Sequence, residues 1–293
     1  MARILKYLVA VAVLAIAAGL WLTRAQPLPD DALAGLSGEA THGKQVFTAA
    51  GCASCHAAPE AKGADKLTLS GGQRFASDFG TFIAPNISPD PTQGIGGWTL
   101  AQFASAVTRG VSPEGQHLYP AFPYTSYVRM TDQDVADLWA YMQTLPASDV
   151  ASLPHEVGFP FNIRRSLGGW KLLFFRDAWV MDVPPELERG RYLVEALAHC
   201  GECHTPRNAL GGPDLSRWLA GAPNPSGQGT IPALTPDKLD WSAADIAYYL
   251  ESGFTPEFDS VGGHMAAVVE NFAQLSAEDR AAVAAYVKAL PAP

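Results

Sequence analysis

The pattern of hydrophobic and polar positions begins with one long apolar run. Residues 7–22 carry no charged side chain, whereas Arg3 and Lys6 precede the run and Arg24 follows it. A basic end followed by an apolar centre is the layout of a secretory signal. Basic residues before the run favour a cytoplasmic N-terminus, which leaves the rest of the chain on the outer side of the membrane.

The same run predicts a helix, and this helix is either cleaved off or retained. Residues 1–25 form either a signal peptide, which is removed, or an N-terminal membrane anchor, which stays. The 16-residue uncharged run is slightly shorter than the stretch of about 17 to 25 residues that spans a bilayer. Extending it to residues 4–22 makes it long enough, and the sequence around Ala25 is a poor cleavage site, so we favour the anchor.

Beyond this run, helical periodicity occurs in two segments that match each other, which indicates an internal repeat. We take the first module as residues 37–146 and the second as residues 187–293. Each module is predicted to hold three helices, with caps and terminal glycines at matching places. The matched features are Gly43-Lys44-Gln45-Val46-Phe47 with Gly190-Arg191-Tyr192-Leu193-Val194, Asn86 to Asp90 with Ala233 to Asp237, Trp98-Thr99 with Trp241-Ser242, Gly110 with Gly253, and the caps Thr131 and Ser276.

Residues 147–186, the connector, belong to neither module. The connector is rich in aromatic side chains interleaved with basic ones, which argues against a simple flexible tether. We expect it to pack the two modules together, and the alternative is a docking surface for a redox partner. The aromatic residues are Phe159, Phe161, Trp170, Phe174, Phe175 and Trp179, and the basic residues are Arg164, Arg165, Lys171 and Arg176.

Charge narrows the range of partners. The chain has 293 residues and a formal net charge of −9, and without its first 25 residues 17 basic side chains face 29 acidic ones, a balance of −12. Nucleic acid is excluded as a partner, because phosphate binding needs a basic face. A protein partner with a positive docking patch fits this balance, although acidic surfaces also serve solubility alone.

All four cysteines lie in two Cys-x-x-Cys-His motifs, Cys52 to His56 and Cys200 to His204. This spacing puts two thiols about one helical turn apart, where they can add to the vinyl groups of one porphyrin, and the adjoining histidine can bind its iron. The motifs therefore predict two covalent haem c groups, attached through Cys52, Cys55, Cys200 and Cys203, with His56 and His204 as iron ligands. The alternatives are a disulfide, a redox-active dithiol and a zinc site, and two copies in matching contexts disfavour all three.

Helical modules with long loops around such motifs resemble the class I cytochrome c fold. The resemblance implies an all-α chain made of two tandem class I cytochrome c domains joined by the aromatic-rich connector. It also implies that Phe47 and Tyr192, on the first helix of each module, pack near the haem edge with Tyr141 and Tyr286 on the last helix.

In that fold a methionine is the common sixth ligand of the iron. The second module offers Met265 in a glycine-bearing loop, eleven residues before Ser276, and His264 is the next candidate. The matching loop of the first module, residues 117–124, contains no methionine. Its candidates are Met130, which occupies the apolar staple position before Thr131, and His117, which the loop would have to turn inward.

The loop from His117 to Tyr124 also carries a closer resemblance. The chain resembles the cytochrome c subunits of membrane-bound bacterial alcohol, gluconate and sorbitol-type dehydrogenases, which usually carry three haems. Their loop reads Tyr-Pro-Ala-Met-Pro-Tyr, with that methionine as iron ligand, and Phe122 stands at its position here. The resemblance further implies haem contacts from Pro85, Asn86, Pro206 and Arg207, with a proline beside the axial histidine and the arginine directed toward a propionate.

These features predict an electron carrier on the periplasmic side of the bacterial inner membrane. Electrons would arrive from a dehydrogenase or a quinol-oxidising complex and leave toward an oxidase or another carrier. The alternative is a haem enzyme of the peroxidase kind, which would use the first haem because it lacks a methionine ligand. A gas sensor would need a signalling domain, and a cysteine-ligated haem for thiosulfate oxidation would need a fifth cysteine.

Overall fold

The computed structural model describes residues 1–225, 227 and 229–291. Helix α1 (Ala2–Leu22) takes up the N-terminal apolar run. It includes an 18-residue window with a mean hydropathy of 2.2, and by length and composition it is the one described helix able to cross a membrane. None of its residues is buried against the rest of the chain. The core of the molecule is therefore built from residues after Leu22.

The first module is a set of helices with one small hairpin. Helices α2 and α6 pack against each other, and their inner faces belong to one hydrophobic core. The hairpin pairs Arg74 with Ile83 in antiparallel register. The elements are α2 (Ala40–Ala49), α3 (Cys52–His56), a 3-10 turn (Gly63–Leu67), β1 (Arg74–Ser77), β2 (Gly80–Ile83), α4 (Leu100–Arg109), α5 (Tyr124–Tyr127) and α6 (Asp132–Met142).

The second module repeats this order after helix α7 (Ser166–Phe174) of the connector. Its first helix begins as a regular helix and continues as a π-helical segment, and its hairpin has only two residues in each strand. The elements are a 3-10 turn (Pro185–Leu187), α8 (Glu188–Arg191), the π-helical segment (Tyr192–Leu197), α9 (Gly201–His204), a 3-10 turn (Leu215–Arg217), β3 (Ala222–Pro223), β4 (Thr230–Ile231), α10 (Ala243–Ser252), α11 (Met265–Phe272) and α12 (Ala277–Lys288).

The capped helix starts and glycine ends predicted from the sequence are confirmed, but each module also contains helices beyond the three predicted, α3 and α5 in the first and α9 and α11 in the second. The hydroxyl of Thr99 accepts a hydrogen bond from the backbone N–H of Gln102 at the start of α4, and Ser242 forms the equivalent capping box with Asp245 at the start of α10. Both helices end at a glycine in the left-handed region, Gly110 with φ 59° and Gly253 with φ 76°. The described chain is mostly helical with little sheet, as the class I cytochrome c fold implies.

Two glycines let the first and last helices of each module approach closely. A Cβ atom at Gly43 in α2 would overlap the backbone carbonyl of Asp137 in α6, and a Cβ atom at Gly190 in α8 would overlap that of Ala282 in α12. The matched Gly43 and Gly190 of the sequence repeat therefore mark the same helix crossing. In each module the Cys-x-x-Cys-His segment follows directly after the first helix of this crossing.

The aromatic side chains on these helices differ between the modules. Phe47 packs edge to face on Tyr141, with ring centroids 5.2 Å apart. The hydroxyl of Tyr192 instead reaches across to the first module, where it donates to the carboxylate of Asp134 and accepts from the N–H of Thr131 at 3.2 Å. The predicted packing of these rings near the haem edges stays a prediction. In the repeat Tyr192 matches Gln45, not Phe47, so it lies on the side of the helix that faces the other module.

The connector contacts both modules. On the first module, the ring of Phe175 lies 5.9 Å from that of Tyr124, and the guanidinium of Arg129 donates to the carbonyl of Ala178. On the second module, the indole N–H of Trp170 donates to the carbonyl of Leu210 at 2.9 Å. The connector thus contacts both modules, which also contact each other directly, for example through Tyr192 and Asp134.

Candidate haem sites

The first Cys-x-x-Cys-His segment is the short helix α3, which Gly51 starts from the left-handed region at φ 65°. Nδ1 of His56 lies 2.9 Å from the carbonyl oxygen of Pro85. An imidazole that donates Nδ1–H to a carbonyl is fixed in orientation and keeps Nε2 free for a metal. Burial lowers the pKa of His56, so the ring is held neutral, as an iron ligand must be.

The second segment has the same arrangement around α9. Nδ1 of His204 lies 2.8 Å from the carbonyl oxygen of Pro232, and burial again lowers the pKa of the histidine. The carbonyl of Pro206 accepts from the N–H of Asp214, so Pro232, and not Pro206, orients this histidine, and the expected contact of Pro206 with haem stays a prediction. The repeat itself contained the signal: it aligned Ala233 with Asn86, which puts Pro232 opposite Pro85.

No two of the four cysteines are paired in a disulfide. Burial raises the pKa of Cys52 and of Cys200 to about 12 each. Such thiols stay protonated, whereas a redox-active dithiol needs a low pKa. Among the described residues, the one group of ligand atoms close enough to share a metal ion is His42, Asp134 and Asp137. The dithiol and zinc alternatives are thus disfavoured, and two neutral thiols beside an imidazole with a free Nε2 fit haem c.

Met265 and His264 face different surroundings at the start of α11. Met265 is half-buried and packs against the core of the second module. His264 is exposed, and its ring lies beside that of Phe75, with centroids 6.2 Å apart. Of the two candidates for the sixth ligand of the second site, the structure therefore favours Met265.

Hydrogen bonds show that Phe122 and Met265 occupy the same position in their modules. The N–H of Leu118 donates to the carbonyl of Gly110 at 2.7 Å, and the N–H of Val261 donates to the carbonyl of Gly253 at 2.7 Å. Phe122 and Met265 each lie four residues after these matched bonds. The ring of Phe122 packs on the rings of Tyr124 and Tyr127.

The other two candidates for the first site are placed elsewhere. Met130 is buried in the core directly before Thr131, the cap of α6, in the staple position predicted for it. His117 is also buried, but its Nε2 lies 3.0 Å from the carbonyl oxygen of Thr23, just after α1. The end of α1 thus engages Nε2 of His117, and a role of this histidine as the sixth ligand stays a prediction.

The remaining predicted haem contacts have other partners. The amide of Asn86 donates to the carbonyls of Ser148 and Val150 in the connector at 2.8 Å each. The guanidinium of Arg207 pairs with the carboxylate of Glu202 and donates to the carbonyl of Gly211. Contacts of either residue with haem stay predictions.

Glu202, inside the second motif, joins the two sites. Its carboxylate accepts from the hydroxyl of Thr125 at 2.8 Å and from that of Ser126 at 3.4 Å, both in α5 of the first module. Burial works against its ionisation, but Arg207 and then the Thr125 hydroxyl hold the pKa of Glu202 below its ordinary value. Glu202 could not be found from the sequence, because only the fold brings α5 to the second motif.

Residues around the two motifs also meet at the boundary between the modules. Burial raises the pKa of the Cys55 thiol to about 11. The hydroxyl of Tyr127 in α5 donates to the carbonyl of Ala50 at 3.0 Å, and the ring of His199, which directly precedes the second motif, packs edge to face on that of Tyr127 with centroids 5.6 Å apart. The two sites therefore share one boundary between the modules.

Comparisons with known proteins identify the family. The profile of the family described as cytochrome c matches residues 40–146 and 187–291. A "Diheme cytochrome c-type" protein of Cereibacter sphaeroides is 61% identical over 294 residues, which cover 100% of this chain and 99% of that protein.

Subunits of dehydrogenases are similar as well. The "Fructose dehydrogenase cytochrome subunit" of Gluconobacter japonicus is 38% identical over 92% of this chain and 56% of its own length. The "Alcohol dehydrogenase (quinone), cytochrome c subunit" of Gluconacetobacter polyoxogenes is 35% identical over 85% of this chain and 55% of its own length. The chain thus spans about half the length of these subunits. It belongs to the cytochrome c family, as a dihaem member with two cytochrome c domains and two covalently bound haem c groups.

Proposed function

We propose that this chain is an electron-transfer protein on the periplasmic side of the bacterial inner membrane. Haem c supplies a one-electron couple when bound. The observation that carries the proposal is the boundary that the two sites share, where the carboxylate of Glu202, inside the second motif, accepts a hydrogen bond from the hydroxyl of Thr125 in the first module at 2.8 Å. Two one-electron sites held side by side serve the passage of electrons through one chain.

The haem attachment sites follow from the site geometry. Cys52 and Cys55 hold the first haem, and Cys200 and Cys203 hold the second. His56 and His204 bind the irons through Nε2, because Pro85 and Pro232 take up Nδ1. Met265 is the sixth ligand of the second iron, since it packs toward the core of its module.

The first haem has no methionine ligand in this proposal. Phe122 stands at the position of Met265, Met130 packs in the helical core, and His117 is held by the end of α1. The first iron is therefore either five-coordinate or bound by another ligand. A thioether raises the reduction potential of a haem, so the two haems differ in potential.

The connector and α1 determine how the haem domains are held together and where they are located. The connector packs the modules together and so fixes the spacing of the two sites. Helix α1 is long and apolar enough to anchor the chain, or to serve as a signal peptide, and either role places the haem domains outside the cytoplasm. The net charge of −9 suits partners with a basic docking patch.

Redox proteins are the proposed partners. The similarity to cytochrome subunits of fructose and alcohol dehydrogenases makes a dehydrogenase the first choice of electron donor. A quinol-oxidising complex is the other donor, and an oxidase or another carrier is the acceptor. No nucleic acid takes part, because the chain is acidic.

Phe122 also favours a second candidate function, a haem enzyme that acts on peroxide at an open first iron. The discriminating experiment mixes the purified dihaem protein with hydrogen peroxide and an electron donor and follows turnover in the Soret band, with carbon monoxide added to the reduced protein in parallel. The carrier proposal expects carbon monoxide to bind at most one haem and peroxide to be reduced only slowly. Fast peroxide turnover that Phe122→Met abolishes would instead establish the enzyme.

A further inference from the structure

Helix α7 of the connector is apolar on its outer as well as its inner face. Leu167 and Gly168 are buried, yet Leu172 and Leu173, on the opposite side, remain 51% and 57% exposed. The only charged side chain in α7, Lys171, points inward and donates to the carbonyls of Arg109 and Gly110 at 2.6 and 2.8 Å. A helix that is hydrophobic all round is normally covered on every side.

The inner side of α7 rests on the end of α1. A Cβ atom at Gly168 would overlap the carbonyl oxygen of Thr23, so only glycine permits this contact. The guanidinium of Arg165 donates to the carbonyl of Leu20, in the last turn of α1. These contacts hold α7 at the level where α1 would leave the hydrocarbon core of a membrane.

The exposed apolar surface continues along the chain on both sides of α7. Before the helix, Phe159 is 81% exposed and Ile163 is 47% exposed. Beside the helix, Leu210 is 59% exposed, and it is tied to α7 by the hydrogen bond from Trp170. Scattered exposed apolar residues are ordinary, but a contiguous group of this kind marks an interaction surface.

The charge around this surface is opposite to that of the whole chain. Residues 157–176 include four basic side chains, of which Lys171 points inward, and no acidic one, whereas the chain carries a net charge of −9. Next to Leu173, a cavity of about 370 Å³ is lined by the guanidinium groups of Arg176, Arg207 and Arg217 and by one carboxylate, that of Asp214. Exposed leucines flanked by arginines form the pattern of a helix that lies in the interface of an anionic membrane.

We propose that α7 lies flat in the outer interface of an anionic phospholipid bilayer. Leu172 and Leu173 enter the acyl boundary, and the arginines beside them contact lipid phosphates. This inference rests on the proposed placement of the chain at the membrane. Since Trp170 binds Leu210 and Phe174 packs against Gly212, it also brings the loop after the second haem motif next to the bilayer.

The four native cysteines are consumed by haem, so an introduced cysteine offers a unique attachment point. We would spin-label Leu173→Cys in the full-length holoprotein and insert it into nanodiscs that contain phosphatidylglycerol. The matched control is Tyr248→Cys on α10, since Tyr248 is 53% exposed and Leu173 is 57% exposed. Collision rates with dissolved oxygen and with a water-soluble nickel chelate report whether each label lies in lipid or in water.

The label at position 173 is expected to meet oxygen several-fold more often, and the nickel chelate several-fold less often, than the label at position 248. Equal nickel accessibility at both positions, in protein that co-elutes with the nanodiscs, would overturn the inference while leaving the anchoring role of α1 intact. Protection that appears only after a dehydrogenase is added would also overturn it. Equal protection in phosphatidylcholine nanodiscs would refute the role of anionic headgroups.

Protein that does not co-elute with the nanodiscs would refute the anchor instead. In that case the labelled protein is mixed with phosphatidylglycerol vesicles, where the inference still requires protection at position 173. A label that stays in water on those vesicles would overturn it.

Discussion

Backbone carbonyl groups decide much of the chemistry at the scale of single residues. The carbonyls of Pro85 and Pro232 each take the Nδ1 side of a histidine, so the Nε2 side is presented to the iron. The side chain of Phe122 then distinguishes two sites that are otherwise built alike. In the proposed function, the phenylalanine at position 122 therefore makes the ligation of the first haem differ from that of the second.

Asp137 provides a test of how the first module is held together. It is buried, and although burial raises its pKa, the N–H of Glu39 and the ring of His42 bring the net value below the ordinary one. Stability from this carboxylate is thus present above the ordinary aspartate pKa and is lost as the pH falls through the lowered value. We expect Asp137→Asn to reduce the free energy of unfolding at pH 7 by about 1 to 3 kcal/mol.

Urea unfolding at pH 7 and at pH 3 measures this effect. The control is Asp132→Asn, which changes an exposed carboxylate in the first turn of the same helix. If the loss in Asp137→Asn is as large at pH 3 as at pH 7, the carboxylate does not act through its charge.

Glu202 provides the residue-scale test of the boundary between the haem sites. Glu202→Ala removes the acceptor of the Thr125 hydroxyl and leaves Arg207 without its ion pair. We expect a loss of about 1 to 3 kcal/mol of stability, together with slower electron transfer between the haems, because the modules are less tightly held. Flash photolysis of the carbon monoxide complex measures the transfer rate.

Thr125→Val is the control for Glu202, since it removes one donor and keeps the ion pair. It should show a smaller loss in both measurements. An unchanged transfer rate in Glu202→Ala would show that the contact has no part in coupling the haems.

At the scale of secondary structure elements, both modules contain the same close crossing of their first and last helices. Gly43→Ala places a methyl group against the carbonyl of Asp137. We expect this overlap to cost about 1 to 3 kcal/mol, which thermal unfolding followed by circular dichroism would measure. Gly169→Ala is the control, because its Cβ would have nothing within 4 Å. Equal stability of the two variants would contradict the close crossing.

The sequence predicted the helices well because their ends carry local chemistry. Thr99, Ser242 and the glycines at 110 and 253 act through hydrogen bonds within a few residues, so a pattern is enough to find them. The contact of Tyr192 could not be predicted in this way, because its partner Asp134 lies in the other module and no residue near Tyr192 in the sequence indicates it.

The haem sites likewise contain some residues that the sequence predicts and others that depend on long-range contacts. The attachment motifs and the substitution at Phe122 could be found from spacing and from the repeat. Glu202 and the partners of Asn86 and Arg207 could not, because their contacts arise only when the connector and the modules pack together. Long-range contacts determine the partners of these residues, whereas local hydrogen bonds determine where the helices begin and end.

At the scale of the whole molecule, charge governs encounters with redox partners. The net charge of −9 should attract cationic oxidants and repel anionic ones. We expect oxidation of the reduced protein by tris(phenanthroline)cobalt(III) to slow as salt rises from about 10 mM to about 1 M, over which the Debye length falls from about 30 Å to about 3 Å.

Oxidation by ferricyanide is the matched control, and it should accelerate over the same range because the repulsion is screened. Stopped-flow absorbance follows both reactions. A rate with the cobalt cation that rises with salt would mean that electrons leave through a basic surface.

The central claim is that the two haems are ligated differently, the second by Met265 and the first by no methionine. The most direct measurement is the charge-transfer band of a thioether bound to ferric haem, quantified per haem by near-infrared magnetic circular dichroism. We predict one such ligand for every two haems in the natural chain, none in Met265→Ala and two in Phe122→Met. A band that persists in Met265→Ala, or two thioether ligands in the natural chain, would contradict the account.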